Sequence, residues 1–466
     1  MNKVLKRRGG LILVLMTVLL LLGGIPAQAV IIGELGPTFD LAAKQDHIKA
    51  PDGDSILMWG YTLGARMQYP GPTMIVNQGD EVTVTLTNDL PPEHGQNVSI
   101  VFPGHVVSAT GGVEGVLTRE AGYAGNPDLN PTTVTYTFVA TNPGTYLYRS
   151  GTRPDLQVEM GLVGGLIVRP AATVPQEAQE TREFSPPLEL AYNHLGTAYH
   201  YEYLYLVTEV DINIHRLVEF GRIDEVDTTT RFAVHWFVNG RAFPDILQPP
   251  GVPWFKTQPY NILPRTHPFE KVLIRFIQAG WQLHPMHYHG ADFSVIAVDG
   301  RLLSSDPDGG PAGPGPDLAW QASTINFTPG QTGDFLWEWT GANLGWDVYG
   351  HPPGAIQPPS PDYLAMGYES LAGHGEPFPV ILAQRDDLAF GQFYSGSPFL
   401  GGLGDLPPDA PGLNSSGGYL FPWHSHSEKE LTSNDVFPGG LLTFVILEPP
   451  NVCILPNGTL QCPYPD

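Results

Sequence analysis

Residues 69–90, YPGPTMIVNQGDEVTVTLTNDL, decide the fold. A Pro70-Gly71 turn leads into an alternating strand, and a Gly79-Asp80 turn leads into a second, EVTVTLTN, in which Val82, Val84 and Leu86 alternate with polar residues. Successive strand side chains point to opposite faces, so this alternation makes one buried face and one wet face. The theme returns in VTYTFVATNPGTYLYRSG (134–151) and GLVGGLIVRP (161–170), and residues 30–170 read as a first β-domain. Residues 171–187, with several Pro, Glu and Gln, read as a linker. A second β-rich domain spans 188–450 and includes HWFVNGRAFPD (235–245), EKVLIRFIQAG (270–280), FSVIAVDG (293–300) and FVILEPP (444–450). Two Pro/Gly/Ser-rich insertions, near 303–320 and 341–418, interrupt it and are expected to cover one of its ends. The mature region lacks a sustained i, i+3, i+4, i+7 apolar pattern, so the expectation is an all-β chain of many short strands.

Composition agrees. The 466 residues include 54 glycines and 47 prolines, with 42% hydrophobic and only 15% charged side chains. Residues 1–29 read as a secretory signal, with Lys3, Lys6, Arg7 and Arg8 before the apolar run LILVLMTVLLLLGG and a small-x-small cleavage site at Ala27-Gln28-Ala29. Export to the medium, periplasm or cell surface follows as an expectation, and no other stretch is long and apolar enough to span a bilayer. Without the four basic residues of the signal, 19 basic and 47 acidic residues leave a net charge near −28, which disfavours nucleic acid and anionic lipid as partners. The sequence is silent on small-molecule or protein partners and leaves a homo-oligomer open. Cys453 and Cys462, the only cysteines, flank ILPNGTLQ, whose Pro-Asn-Gly marks a tight turn. In an exported chain they are expected to close a disulfide hairpin within 451–466, with half of a metal site as the alternative. No G-x-S-x-G elbow is present, and the Gly-rich GLVGGL is followed by no Lys-Ser/Thr, so neither serine hydrolase nor phosphate-loop chemistry is signalled.

The chemistry concentrates in two clusters, HPMHYHGADF (284–293) and FPWHSHSEKE (421–430). His-x-His on a strand puts two imidazoles on one face. His287 with His289, and His424 with His426, are therefore two candidate pairs for one ion, and neutral imidazole suits copper or zinc. His284 is a weaker candidate. The alternative is a metal-free cleft in which the same rings bond to carbonyls and carboxylates.

Taken in order, YPGPTMIVNQGDEVTVTLTN, PGTYLYRSG with QVEMGLVGGLIVRP, FVNGRAFPD, HPMHYHGADF and FPWHSHSEKE resemble the multicopper oxidases, the laccase-like family built from cupredoxin β-sandwiches. The resemblance implies two cupredoxin-like Greek-key domains. It also implies four histidine motifs feeding a trinuclear copper cluster and a blue type 1 copper. The first-domain motifs are missing: Val101 and Pro103 stand at one pair of ligand positions, and Arg149 and Gly151 at the other. His105, displaced by two residues, is a structural histidine or a substitute ligand. By resemblance His284 matches a type 1 ligand, His287 a type 2 ligand, and His289, His424 and His426 type 3 ligands. Ser425 replaces the cysteine and Glu430 the second type 1 histidine. Blue copper depends on a thiolate, and a serine hydroxyl is a poor ligand for Cu(I). Four-electron laccase chemistry is therefore not expected. What remains is a residual site for one copper, or alternatively zinc, at His287, His289, His424 and His426. Asp292 and Asp435 are candidates for orienting its imidazoles, and Arg149 for opposing a second ion. Two functions stay open: a copper-binding protein with non-standard oxidoreductase activity, and an inert cupredoxin-fold module for binding or surface assembly.

Overall fold

The computed structural model describes residues 31–125, 131–179, 185–339, 419–448, 453–454 and 460–461. The signal segment 1–29, residues 180–184 of the linker, the insertion 341–418 with His351 and His374, and Cys462 lie outside the described residues. Strands dominate, as expected from the turn-rich alternating sequence. No helix among the described residues is long and apolar enough to cross a membrane.

The opening stretch folds as its alternation requires. Met74–Asn77 and Glu81–Asn88 are strands, and Val82, Val84 and Leu86 are buried while the threonines between them are half exposed. These two strands belong to different sheets. Glu81–Asn88 lies between Thr38–Lys49 and Thr133–Val139 in a five-stranded sheet, whereas Met74–Asn77 pairs with Val163–Arg169 in a four-stranded one. Phe39, Leu41, Val84 and Tyr136 from one sheet meet Met74, Leu166, Val168 and Tyr148 from the other in one core, the arrangement of a β-sandwich.

A second sandwich repeats the plan. Its larger, seven-stranded sheet centres on Tyr201–Val210, Lys271–Gln278 and Thr332–Glu338. Its five-stranded sheet holds Met286–Tyr288 between Thr324–Ile325 and Tyr419–Ser425, with Leu442–Leu447 beyond. The core between them is aromatic, with Tyr205, Tyr288, Phe293, Phe335, Trp337 and Trp423. The chain is thus all-β with two cupredoxin-like sandwiches. Among the described residues two short α-helices break the rule, Pro154–Gln157 and Ile212–Glu219. Ile212–Glu219 is an amphipathic helix of about two turns whose Asp211 cap accepts the Asn213 N–H at 2.9 Å; its length is too short for a periodic signal. At the C-terminus Cys453–Ile454 pairs with Leu460–Gln461, so the hairpin forms. The disulfide expected to close this hairpin involves Cys462, which lies outside the described residues.

The sandwiches are joined by apolar packing and by buried charge. Leu147, Val163 and Ile167 of the first pack with Leu204, Leu206 and Ile277 of the second. Beside them, Glu202 receives Arg169 Nη1 at 2.7 Å and Arg275 Nε at 2.8 Å. Burial opposes ionisation of Glu202, but the two guanidiniums outweigh it and hold the carboxyl down to about 2. Thr145 of the first sandwich donates to Asp334 Oδ1 at 2.5 Å, and Asp334 also faces Arg275. Removing one partner of such a cluster leaves a buried charge uncompensated. Glu202→Gln is therefore expected to cost roughly 3–5 kcal/mol of unfolding free energy, read as a lower denaturant midpoint at constant slope; an unchanged midpoint refutes this role.

Candidate metal centre

The antiparallel register sets the site. Met286 lies opposite Ser425, His287 opposite His424, and Tyr288 opposite Trp423. Because side chains alternate, Met286, Tyr288, Trp423 and Ser425 turn to one face, where Tyr288 and Trp423 enter the core, and the histidines turn to the other. The four imidazoles gather there. Ring centres lie 4.6 Å apart for His287 and His289, 4.9 Å for His287 and His426, 5.0 Å for His289 and His424, and 5.6 Å for His287 and His424. His287 and His289 are buried, His424 is half-buried, and His426 is exposed, so the cluster opens to solvent at one corner.

Hydrogen bonds fix part of this donor set. His424 Nδ1 donates to Ser425 O at 2.7 Å, since a carbonyl only accepts; its Nε2 then carries the lone pair. That Nε2 faces His289 Nε2 at 3.1 Å. His287 Nδ1 lies 2.6 Å from Thr324 Oγ1 on the neighbouring strand. Burial, then the nearby His424 and His426, pulls the His287 proton affinity down to about 4, and burial likewise lowers His424. Both are therefore neutral near pH 7, the state a metal requires. A nitrogen pair at 3.1 Å has the spacing of two ligands on one ion with bonds of about 2.0–2.1 Å. No three of the four rings bring donor atoms within 4.8 Å of one another. The cluster thus presents a two-nitrogen edge flanked by His287 and His426.

The opposite face holds a different chemistry. His284, fully buried, bonds through Nε2 to Glu209 Oε2 at 3.0 Å, and its Nδ1 lies 3.0 Å from Glu430 Oε2. Ser425 donates to that same Glu430 oxygen at 2.5 Å. Glu209 is further held by the backbone N–H of Trp281 and, at 2.8 Å, of Gln282. A side chain on Gly280 would collide with its carboxylate, so glycine is required beside it. Burial alone would lower the His284 proton affinity; the two carboxylates outweigh it and push it up to about 9. Where the resemblance implies a blue copper, the chain has an imidazolium between two glutamates and a serine hydroxyl serving one of them.

The first-domain ligand positions are closed off. Val101 and Arg149 face each other across a β-bridge, and any Cβ on Gly151 would meet Val101 Cγ1 at 2.7 Å. Arg149 lies beside Tyr61 and bonds to Ser150 O at 3.5 Å. His105 packs between Phe138 and Tyr146, and burial lowers its proton affinity to about 4, the setting of a structural histidine. Asp292 and Asp435 are exposed, and it is Thr324 and Ser425 O that bond to His287 and His424. Glu209 escaped the sequence reading. Its signal is a lone carboxylate in step with Tyr205 and Val207 on the core face of Tyr201–Val210.

The His284 ion pair has a pH signature. Its proton is held more tightly folded than unfolded, so its stabilisation is complete below about pH 6.5 and is lost as pH rises through about 9. Wild-type unfolding free energy should therefore fall across that window, and His284→Gln should flatten the profile; parallel profiles would refute the assignment.

Residues 58–173 match the multicopper oxidase family model. A 129-residue segment is 33% identical to L-ascorbate oxidase of Cucurbita pepo var. melopepo, covering 28% of this chain and 21% of that protein. Another of 129 residues is 33% identical to multicopper oxidase MCE of Talaromyces pinophilus, over 27% and 19% of the two chains. The matched region thus spans about a fifth of these relatives' length. Among solved structures, multicopper oxidase mgLAC aligns at 19% identity and TM-score 0.49, over 88% of this chain and 85% of its own. The blue copper oxidase of Nitrosomonas europaea aligns at 18% and 0.49, over 88% and 86%. Residues 58–173 of this chain are thus similar to a multicopper oxidase domain, in sequence and over about a quarter of the chain's length.

Proposed function

We propose that this chain is an exported multicopper-oxidase-like protein that holds copper at His287, His289, His424 and His426 and works without a blue copper centre. Export rests on the basic, apolar and small-residue pattern of residues 1–29. The observation that carries the copper reading is the facing pair of His289 Nε2 and His424 Nε2 at 3.1 Å, with two more imidazoles at their sides. The donor set fits copper: imidazole nitrogen is a suitable ligand, and His424 presents a lone pair because its other nitrogen is committed to Ser425 O. It does not fit blue copper, since the thiolate position carries a hydroxyl that donates to Glu430.

Copper bound there would supply one-electron redox chemistry. The chain's own contribution is positional. Thr324 holds His287, Ser425 O holds His424, and the exposed His426 leaves an approach from solvent. The first sandwich offers no histidines at the matching positions, so the family's eight-imidazole cluster is not assembled within one chain and four-electron reduction of dioxygen is outside this reading.

A second reading, an inert cupredoxin-fold binding or surface-assembly protein, draws on the failure of any three rings to converge within 4.8 Å. Copper content separates the two. The purified chain is expected to retain about one copper after dialysis without intense blue colour, and His289→Ala with His424→Ala to retain none while keeping its circular dichroism. Equal copper in both proteins, or none in the wild type, overturns the proposal.

A further inference from the structure

A second set of ligand-type side chains lies far along the sequence from the histidine pairs. Asp52 and Asp54 sit in the turn between Thr38–Lys49 and Ser55–Thr62 of the first sandwich. His235 opens the strand His235–Val238 of the second. The turn is tight: Asp54 N–H donates to Asp52 Oδ1 at 3.2 Å, and Gly53 between them adopts φ 97°. This aims one oxygen of each carboxylate at the imidazole. His235 Nε2 lies 3.4 Å from Asp54 Oδ2 and 3.9 Å from Asp52 Oδ2. Among the described residues this is the only trio of such groups whose donor atoms all lie within 4.8 Å of one another.

Two further observations point to a ligand. The His235 side chain is 0% exposed, and neither of its ring nitrogens has a hydrogen-bond partner; Asp54 Oδ2 is likewise buried and unpartnered. Native chains rarely leave such atoms unsatisfied without a reason. The spacing supplies one. Two ligands on a tetrahedral ion with bonds of about 2.0–2.2 Å sit roughly 3.3–3.5 Å apart, longer than a good hydrogen bond. We propose that Asp52, Asp54 and His235 bind a divalent transition-metal cation of the zinc class, which clasps the two sandwiches together. A nitrogen among oxygens disfavours calcium and magnesium and suits the borderline first-row ions.

The neighbours are compatible. Arg216 Nη2 reaches Asp54 from its other oxygen, Oδ1, at 3.7 Å and leaves Oδ2 free for an ion. Phe237 lies beside the His235 ring, with the two planes 22° apart and the ring centres separated by 6.1 Å. His215 is occupied with Leu57 O and faces Glu159, which Arg231 also pairs. The site would add to a seam already stitched by Thr257 Oγ1 to His47 O at 2.8 Å and Gln258 Nε2 to Lys49 O at 2.9 Å.

The test uses the full chain carrying His289→Ala and His424→Ala, so that the imidazole cluster cannot contribute. Co²⁺ is the probe, because its visible bands report inner-sphere ligands. This background is expected to take up about one Co²⁺ per chain, and Asp54→Asn or His235→Gln to weaken uptake by roughly tenfold or more. Zn²⁺ should raise the Tm of the background and leave that of Asp54→Asn unmoved. Asp54 is partly exposed in a turn, so this variant tests the site even if His235→Gln fails to fold. No Co²⁺ uptake by the background, or equal uptake by the variants, overturns the proposal. A Tm that responds to pH but not to Zn²⁺ also overturns it, since it would mark a protonated His235 held by the two carboxylates.

Discussion

The pairing of Met286–Tyr288 with Tyr419–Ser425, in a register that sets His287 opposite His424, governs the chemistry of this molecule. Period-two alternation divides each histidine motif between two faces. Four imidazoles collect on one, and His284, Ser425 and Glu430 collect on the other. A slip of one residue would exchange the sets, driving His287 and His424 into the aromatic core and Tyr288 and Trp423 out of it. Burial of those two rings against Tyr205 and Phe293 therefore fixes the register and, with it, the composition of both faces.

The strand Tyr201–Val210 applies the same logic on a larger scale. Its even positions, Leu204, Leu206 and Val210, join the packing shared between the sandwiches, and Glu202 among them takes up Arg169 and Arg275. Its odd positions, Tyr205 and Val207, face the second core, and Glu209 in step with them reaches His284. One strand thus supplies the carboxylate that welds the two sandwiches and the carboxylate that holds His284. Both are ionic contacts in a low-dielectric interior, where each lasts only while its partners satisfy it. Glu202 has two guanidiniums; Glu209 has an imidazolium and two backbone N–H groups.

What was legible in the sequence was whatever local periodicity encodes. The alternation of Val82, Val84 and Leu86 marked a half-buried strand, and His-x-His marked a shared face. The departures at Val101, Arg149, Gly151, Ser425 and Glu430 were equally visible, because each sits inside a stretch with a recognisable pattern. Long-range pairings were not. Glu209 meets His284 across 75 residues, and Thr324 meets His287 across 37. Neither carries a motif, and each looks locally like an ordinary strand residue. Asp292 illustrates the converse: it is close to the imidazoles along the chain, yet it lies exposed in the link between Met286–Tyr288 and Phe293–Val298. Asp52, Asp54 and His235 come together only because two separate sandwiches meet, and no local signal foretells that.

A blue copper centre beside His284 is disfavoured on more than one ground. Ser425 offers no thiolate, and a cysteine at that position would not by itself make a site. With its proton affinity pushed up to about 9, His284 carries a hydrogen on both nitrogens at neutral pH and offers no lone pair. A copper ion would have to displace that proton, strip Glu209 and Glu430 of the cation that compensates them, and find Glu430 where the family pattern has an imidazole. The buried triad is satisfied as it stands, so every single step back toward the ligand set leaves a buried charge unpaired. The imidazole face carries no such penalty. His287 and His424 are neutral, the one exposed corner admits water, and the hydrogen bonds of these two rings run to a hydroxyl and a carbonyl that tolerate a metal or its absence. The open face therefore carries the donors on which the copper proposal rests, and the closed face is held together by charge.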